Sequence, residues 1–317
     1  MNAALICTLK NEADGLKGFL ESIDAQTMRP DEFIIVDGGS TDGSLEVLHD
    51  YAQVRPWVRI VLAEGANISQ GGNIAIRDAK SRIVASTDAG CLLEPDWFQL
   101  IVAPILDGRA DVVAGGYELS THTAFQKCLN AVVSSDRHLW DAETFLPSSR
   151  SIAFKRQAWE EVHGYPEWLR YGEDTYFDLR LREAGFRFIV EPEAVVRWEA
   201  RKDLPSVARQ YYRYHHWDVL AGNFPNKVLL TLPILTFGAL LLAVALLMEI
   251  LLIPAVLGVF IIGGILRYGV LVYTKTGCPW CLVYSPLVAA TILISENLGR
   301  LSGLIRRPFF FHKRKFP

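Results

Sequence analysis

The sequence is poor in cysteine, and its cysteines give no sign of pairing. Five cysteines stand at positions 7, 91, 128, 278 and 281 of a 317-residue chain. Their scattered spacing does not indicate a disulfide framework. Cys278-Pro-Trp-Cys281 has the spacing of a redox motif, but it lies among apolar segments and outside any βαβ pattern. The context therefore disfavours redox chemistry.

The chain also lacks a basic excess and a leader sequence. Its formal net charge is −3 at pH 7. General nucleic-acid binders normally carry a basic footprint, so we expect no nucleic acid among the partners. The N-terminal residues MNAALICTLKNE have neither the charged start nor the long apolar core of a signal peptide. We therefore expect the first domain to stay in the cytoplasm.

Long apolar runs are absent from the first 227 residues and abundant afterwards. Between Val228 and Leu266 the only charged residue is Glu249. A helix needs about 20 apolar residues to cross the hydrocarbon core of a membrane. Val228–Met248 and Ile250–Tyr273 reach that length, and 283–298 could form a shorter third span. We therefore predict two or three spans.

The end of the chain combines basic and aromatic side chains. Phe309–Phe311 lie between two basic groups, Arg306-Arg307 and Lys313-Arg314-Lys315. This composition is typical of an anchor at an anionic lipid surface, and a disordered basic tail shares it. Three spans would place the tail opposite the first domain, against the positive-inside tendency, whereas two spans would keep it on the cytoplasmic side.

We divide the chain into three parts. These are a domain at 1–227 that ends in an interfacial helical stretch, a membrane domain at 228–300, and a basic-aromatic tail at 301–317. We expect an integral membrane protein of a bacterial inner (plasma) membrane, with the first domain in the cytoplasm and membrane lipids among its partners.

The first domain alternates strands and helices. The apolar pattern predicts strands at 3–9, 32–36, 58–62, 82–87, 111–116, 151–155, 186–190 and 194–198. Helices are predicted at 16–23, 45–52, 74–79, 157–162 and 175–184. The alternation predicts an α/β fold, with a mostly parallel sheet sandwiched by helices. Ligands of such sheets bind beyond the carboxyl ends of the strands, where Asp37 and Asp88 lie.

Four motifs follow the predicted strands in order. They are Thr8-Leu9-Lys10-Asn11-Glu12, Ile34-Ile35-Val36-Asp37-Gly38-Gly39-Ser40-Thr41-Asp42, Thr87-Asp88-Ala89-Gly90 and Gly172-Glu173-Asp174. Over roughly residues 3–217 this pattern resembles the family 2 glycosyltransferases. The resemblance implies a GT-A (Rossmann-like) fold, a nucleotide-sugar donor and inversion at the anomeric carbon.

The resemblance implies a donor site around the first three motifs. Asp37 would accept hydrogen bonds from the nucleoside, and glycines such as Gly38 and Gly39 let the backbone approach a ligand. The remaining predicted donor-binding residues are Thr8, Asn11, Glu12, Asn73, Asp88 and Arg213. Asp88 would also hold a divalent cation, Mg²⁺ or Mn²⁺, as the first residue of an Asp-x-Asp motif. Gly90 replaces the second aspartate of that motif, which puts strict metal dependence in doubt.

The resemblance places catalysis on Glu173 and Asp174. Asp174 would be the general base that takes the proton of the acceptor hydroxyl. We expect Ser149, Arg150, Tyr214 and Trp217 on the acceptor side. The stretch 210–217 also fits an amphipathic helix on a membrane surface.

We therefore predict inverting transfer of a sugar to a membrane-proximal acceptor, a lipid or a lipid-linked glycan of the cell envelope. A polyprenyl-phosphate glycosyltransferase is the first alternative, favoured by Arg201, Lys202 and Arg209. A non-catalytic, membrane-tethered nucleotide-sugar-binding protein is the second. A nucleotidyltransferase is disfavoured because the loop after the first strand lacks a Gly-rich basic signature. A processive synthase is disfavoured because too few spans remain for a channel.

Overall fold

The computed structural model describes residues 3–223 and 252–312, together with the single positions 238, 240, 243 and 244. The predicted span 228–248, the first residues of the predicted span 250–273 and the tail residues 313–317 lie outside the described residues. So does the predicted domain boundary at 227, which stays a prediction. The described chain forms two compact units.

The first unit contains residues of 1–120 and 135–199 and is built on one sheet. Its strands are β1 Ala3–Leu9, β2 Glu32–Asp37, β3 Val58–Leu62, β4 Ile83–Ser86, β5 Cys91–Leu93, β6 Val112–Ser120, β7 Ile152–Lys155 and β8 Phe188–Glu199. Its helices are α1 Ala13–Asp24, α2 Ser44–Gln53, α3 Ile68–Asp78, α4 Trp97–Leu106, α6 Arg156–Glu161 and α7 Glu173–Glu183, with a 3-10 turn at Arg137–Leu139.

The strand order is β3-β2-β1-β4-β7-β6-β8-β5. Strands β1 to β4 are parallel to one another, and β6 is parallel to β8. Strand β7 runs antiparallel to both of its neighbours, and β5 runs antiparallel to β8. The predicted α/β class is confirmed, with a sheet that is mixed rather than uniformly parallel.

Alternate residues of the central strands face two apolar layers. Leu5 and Cys7 of β1 belong to the core formed with α1, α2 and α4. Ala4 and Ile6 belong to the opposite core, formed with α3, α6 and α7. Because both faces are covered, the central strands are apolar throughout, which explains why the sequence shows continuous apolar runs there.

The structure differs from the predicted elements in three respects. The two strands expected at 186–190 and 194–198 are one strand, β8, whose pairing with β6 shifts register at Gly115 and Gly116. Helix α3 begins at Ile68, six residues before the helix predicted at 74–79. Strand β5 and helix α4 were not predicted, because β5 has three residues and α4 is apolar on nearly every side.

The second unit contains residues of 121–134 and 200–317 and is helical where it is described. Its helices are α5 Ala124–Val133, α8 Leu204–Ala221, α9 Leu252–Thr276 and α10 Cys281–His312. A disulfide joins Cys128 of α5 to Cys281 of α10, with their Cα atoms 5.2 Å apart. The expectation that the cysteines do not pair is therefore wrong. The partners are 153 residues apart, so their spacing gave no sign of the bond.

Helix α10 packs closely on α8. A Cβ atom at Gly303 would lie 2.6 Å from Val219 Cβ and 2.8 Å from the carbonyl oxygen of His216. Glu296, the charge inside the predicted third span, pairs with His215 of α8 at 3.3 Å. Among the described residues one segment, 281–307 of α10, is long and apolar enough to cross a membrane. A buried core helix meets the same criteria, so this segment alone does not establish a span.

Candidate functional site

A small cleft opens in the first unit, at the carboxyl ends of β1 and β4. Four predicted site residues line it: Thr8, Asp88, Ser149 and Glu173. Strand β7 is antiparallel to β4, so the residues just before β7 reach the same end of the sheet. The topology therefore brings together side chains that are up to 165 positions apart in the sequence.

Asp37 ends β2 and is fully buried. Its Oδ1 accepts hydrogen bonds from the backbone N–H groups of Gly39 and Ser40, each at 2.7 Å. Gly39 has φ of +90°, a left-handed conformation that favours glycine. Within the part of the chain described, Oδ2 of Asp37 is buried without a hydrogen-bond partner. A buried acceptor of this kind is costly unless a ligand completes it.

The loop after β1 forms hydrogen bonds with the turn that follows Asp37. The backbone N–H of Asn11 donates to Ser40 Oγ at 2.9 Å, and Asn11 Oδ1 accepts from the N–H of Thr41 at 2.8 Å. The N–H of Glu12 donates to Ser44 Oγ at 3.0 Å. Asn11 itself has φ of +58°, which asparagine tolerates better than most residues. These contacts give Asn11 a part in shaping the predicted donor site.

Asp88 faces the cleft with 35% of its side chain exposed. Its Oδ2 lies 3.3 Å from Arg150 Nε, so two residues predicted for the donor and acceptor sides form an ion pair. The guanidinium of Arg150 also lies 4.6 Å from the centre of the Trp198 ring. Burial raises the pKa of Asp88, and Arg150 opposes that shift. Trp198 was not predicted as part of the site.

Glu12 lies near Gly90, the position at which the sequence departs from the family's Asp-x-Asp motif. A Cβ atom built on Gly90 would lie 4.0 Å from Glu12 Oε2. Burial and the neighbouring carboxylate of Asp88 both raise the pKa of Glu12. Glu12, in the loop after β1, therefore brings a second carboxylate near Asp88, whereas Gly90 supplies none. Two carboxylates in this arrangement provide the hard oxygen ligands that Mg²⁺ and Mn²⁺ prefer.

Glu173 and Asp174 form the first turn of α7. Burial, followed by repulsion from Asp174, raises the pKa of Glu173 to about 8. Asp174 is half-buried, and its Oδ1 accepts from the backbone N–H of Thr175 at 2.8 Å. A helix N-terminus favours such negative charge. Glu173 is the member of the pair that lines the cleft.

The sequence reasoning missed Asp178 and Tyr165. Both carboxylate oxygens of Asp178 and the hydroxyl of Tyr165 are buried without a hydrogen-bond partner among the described residues. Burial, then the nearby charge of Asp174, raises the pKa of Asp178 well above its usual range. Asp178 lies four residues after Asp174, so helical periodicity could have placed both acids on one face.

Asn73 has a structural role that the prediction did not anticipate. Its Nδ2 donates to the carbonyl oxygen of Tyr165 at 2.9 Å and to Glu167 Oε1 at 3.0 Å. Its Oδ1 accepts from Trp159 Nε1 and from the N–H of Tyr165. An asparagine amide has two donor hydrogens and two acceptor positions, and all four are used. The geometry therefore does not support the predicted contact between Asn73 and the donor.

Three predicted site residues, Arg213, Tyr214 and Trp217, lie on α8 in the second unit. The hydroxyl of Tyr214 accepts from Gln210 Nε2 at 3.2 Å. Their predicted contacts with the donor and the acceptor stay predictions.

Residues 4–130 match the model of the family described as "Glycosyl transferase family 2". The chain is 25% identical over 211 residues to the O-antigen chain rhamnosyltransferase RfbN of Salmonella typhimurium, covering 62% of this chain and 66% of that protein. It is 25% identical over 223 residues to the succinoglycan biosynthesis protein ExoA of Rhizobium meliloti, covering 67% of this chain and 68% of that protein.

The fold is similar to that of a solved structure, the mannosyltransferase PcManGT from Pyrobaculum calidifontis in complex with GDP-Man and Mn²⁺. The TM-score is 0.58 at 18% identity, and the match covers 99% of this chain and 88% of that chain. At this level of identity the likeness concerns the fold. It agrees with the predicted GT-A architecture.

Proposed function

Because the chain carries a glycosyl transferase family 2 domain, we propose that it transfers a sugar from a nucleotide-sugar donor to a membrane-proximal acceptor, with inversion at the anomeric carbon. The observation that carries the proposal is the cleft itself. Asp88 and Glu173 meet there at the carboxyl ends of the strands, with Asp174 next in the chain. Perturbed carboxylates in a cleft are typical of catalytic sites.

The donor's nucleoside would bind at Asp37. Oδ1 of this carboxylate already holds the turn, and Oδ2 remains a buried acceptor among the described residues. An N–H or O–H group of a base or ribose would satisfy it with a charge-assisted hydrogen bond. This explains why a fully buried aspartate stands at the end of β2.

Asp88 and Glu12 would hold a divalent cation. Glu12 Oε2 lies 4.0 Å from the position of a Cβ built on Gly90, and burial and the charge of Asp88 raise the pKa of Glu12, so two neighbouring carboxylates are present that fit a hard cation. The cation would neutralise charge on the diphosphate leaving group. Arg150 pairs with Asp88, and we propose that it is the residue whose contacts change when the cation and the diphosphate bind.

Asp174 would act as the general base. Its carboxylate takes the proton of the acceptor hydroxyl while that oxygen bonds to the anomeric carbon, and the bond from that carbon to the diphosphate breaks. The nucleoside diphosphate leaves from the opposite face, so a single displacement inverts the configuration. Glu173, whose pKa is about 8, keeps its proton at neutral pH and so does not add a second negative charge beside the leaving diphosphate.

We propose that the acceptor is a lipid or a lipid-linked glycan of the cell envelope. RfbN and ExoA are named for O-antigen and succinoglycan synthesis, which supports an envelope or extracellular glycan as the product. The apolar segment 281–307 supports association with a membrane. On this proposal the first unit works at the cytoplasmic face of an inner (plasma) membrane.

The test is nucleoside diphosphate release from a panel of UDP-, GDP- and dTDP-sugars. Detergent-solubilised full-length chain is incubated with Mn²⁺ or Mg²⁺ and with either native lipid extract or polyprenyl phosphate. We expect release from one donor, dependent on the lipid extract. Release with polyprenyl phosphate alone would instead identify a polyprenyl-phosphate glycosyltransferase. Tight nucleotide binding without release from any donor would identify a binding protein and contradict the proposal.

A further inference from the structure

Three cysteines of the second unit form a sulfur cluster that the proposed transfer reaction does not use. The Sγ atoms of Cys128, Cys278 and Cys281 all lie within 4.8 Å of one another. Cys128 and Cys281 are bonded and fully buried, whereas Cys278 is a free, partly exposed thiol. A disulfide with a third thiol beside it is the minimum arrangement for thiol–disulfide exchange.

The surroundings favour exchange at this place. Cys278 and Cys281 form a turn in which the N–H of Cys281 donates to the carbonyl oxygen of Cys278 at 3.0 Å, and α10 begins at Cys281. The N-terminus of a helix stabilises a thiolate. Trp280, between the two cysteines, is 61% exposed, so the described chain does not cover the turn on that side.

The remaining contacts of the cluster are apolar or weakly polar. Val272 of α9 packs against the two bonded cysteines, and Thr276 Oγ1 lies 3.4 Å from Cys281 Sγ. Within the described ranges, no His, Asp or Glu joins the three sulfurs as a fourth metal ligand. A structural zinc site normally has four protein ligands, so the cluster fits sulfur exchange better than a metal ion.

We propose that Cys128, Cys278 and Cys281 form a thiol–disulfide exchange site whose external substrates are small thiols and dithiols that enter at Cys278. The Cys278 thiolate attacks Cys281 Sγ, the Cys128–Cys281 bond breaks, and a Cys278–Cys281 bond forms. Cys128 leaves as a thiolate and takes up the proton that Cys278 lost. One disulfide replaces another, so this step needs no external oxidant.

Thiol–disulfide exchange changes which cysteines of the second unit are covalently linked. With Cys128–Cys281 bonded, α5 is linked to the start of α10. With Cys278–Cys281 bonded, the disulfide closes a loop of four residues and α5 no longer has a covalent link to α10. An external dithiol then reduces the Cys278–Cys281 bond more readily, because its sulfurs include the partly exposed one.

The test maps disulfides in the full-length chain in detergent at several ratios of reduced to oxidised dithiothreitol. Samples are quenched with acid and N-ethylmaleimide, digested with pepsin at low pH to stop exchange, and analysed by mass spectrometry. In the wild type we expect both the Cys128–Cys281 and the Cys278–Cys281 linkages. Cys278→Ser should keep only Cys128–Cys281 and lose it to dithiothreitol about tenfold more slowly. The Cys128→Ser variant should contain the Cys278–Cys281 disulfide.

Cys91→Ser is the matched control, since Cys91 is buried in the first unit and should change neither linkage nor rate. The proposal is overturned if no Cys278–Cys281 linkage appears and Cys278→Ser is reduced at the wild-type rate. It is equally overturned if all three thiols remain free in oxidised buffer and one equivalent of zinc copurifies. Neither result depends on sugar transfer, so a failure of this proposal would not be a failure of the proposed function.

Discussion

Single carboxylates carry most of the chemistry inferred for this chain, and their surroundings differ in ways that assign them different tasks. Asp37 is buried and anchors a turn through one oxygen. Asp88 is partly exposed and paired with Arg150. Glu173 is buried beside another acid. On the proposed mechanism, these differences suit Asp37 to a nucleoside contact, Asp88 to a cation and Glu173 to staying protonated at neutral pH.

Replacing Asp37 by asparagine should weaken nucleotide binding by about 10- to 100-fold, because a hydrogen bond to a charged acceptor contributes about 1.5–3 kcal/mol. Isothermal titration of nucleoside diphosphates into wild type and variant measures the change. Asp50→Asn, at an exposed position of α2, is the control and should bind like the wild type. Equal affinities in all three proteins would remove Asp37 from the donor site.

Glu173 should make the chain less stable as the pH rises. Its pKa is about 8 in the folded chain against a usual value of 4.5, so between these pH values the unfolded chain loses a proton that the folded chain keeps. Unfolding is then favoured by rising pH. Glu173→Gln removes this penalty, and its gain in Tm over wild type should grow from pH 5 to pH 8.

The gain in Tm is measured by thermal unfolding without nucleotide, with circular dichroism as the signal. Glu183→Gln, at an exposed position of the same helix, provides the comparison and should show no such trend. A constant difference between Glu173→Gln and wild type at every pH would mean that Glu173 is ionised throughout.

Among the elements, the first four strands and helices α1 and α2 were predictable, whereas the start of α3 and several later elements were not. Strand β3 has the predicted bounds, 58–62, because an apolar run flanked by turn residues is a strong local signal. Strand β5 has only three residues, and β8 is one strand across an irregular register. These features depend on which strands pair in the folded sheet, and such pairing produces no periodic apolar pattern in the sequence.

Candidate site residues could be predicted where a motif lies at the end of a strand. They could not be predicted where they depend on contacts between distant parts of the sequence. Asp37, Asp88 and Glu173 follow from motif order. Asn73 was predicted to contact the donor, and its four hydrogen bonds join it to groups 86 to 94 residues away, which the sequence alone does not reveal. The same holds for Glu12 beside Gly90, a pairing that only the folded chain reveals.

The packing of α10 on α8 gives a prediction at the scale of elements. Gly303→Val should destabilise the second unit by about 1–3 kcal/mol, because the new side chain has no room against Val219 and the backbone of His216. Thermal unfolding in detergent is the measurement. Gly264→Val on α9 makes the same change where a Cβ meets nothing within 4 Å. Equal changes in Tm in the two variants would show that the close contact of Gly303 with α8 does not determine the loss.

At the scale of the whole molecule, the chain combines a sheet-based unit with a second unit that is helical where it is described. We predict that the full-length chain floats with anionic vesicles and stays bound after alkaline carbonate extraction, since apolar spans are retained in the bilayer. A variant with Arg306 and Arg307 changed to glutamine should still resist extraction. Release of the wild type by carbonate would contradict an integral attachment.

The central claim is that Asp174 serves as the base of an inverting sugar transfer. With the donor identified, the decisive measurement is the rate of nucleoside diphosphate release by wild type and Asp174→Asn, together with the anomeric configuration of the product by proton NMR. We predict an inverted product and a loss of at least about 100-fold in kcat for Asp174→Asn, with donor affinity kept. A retained configuration, or an Asp174→Asn variant as fast as the wild type, would contradict the account.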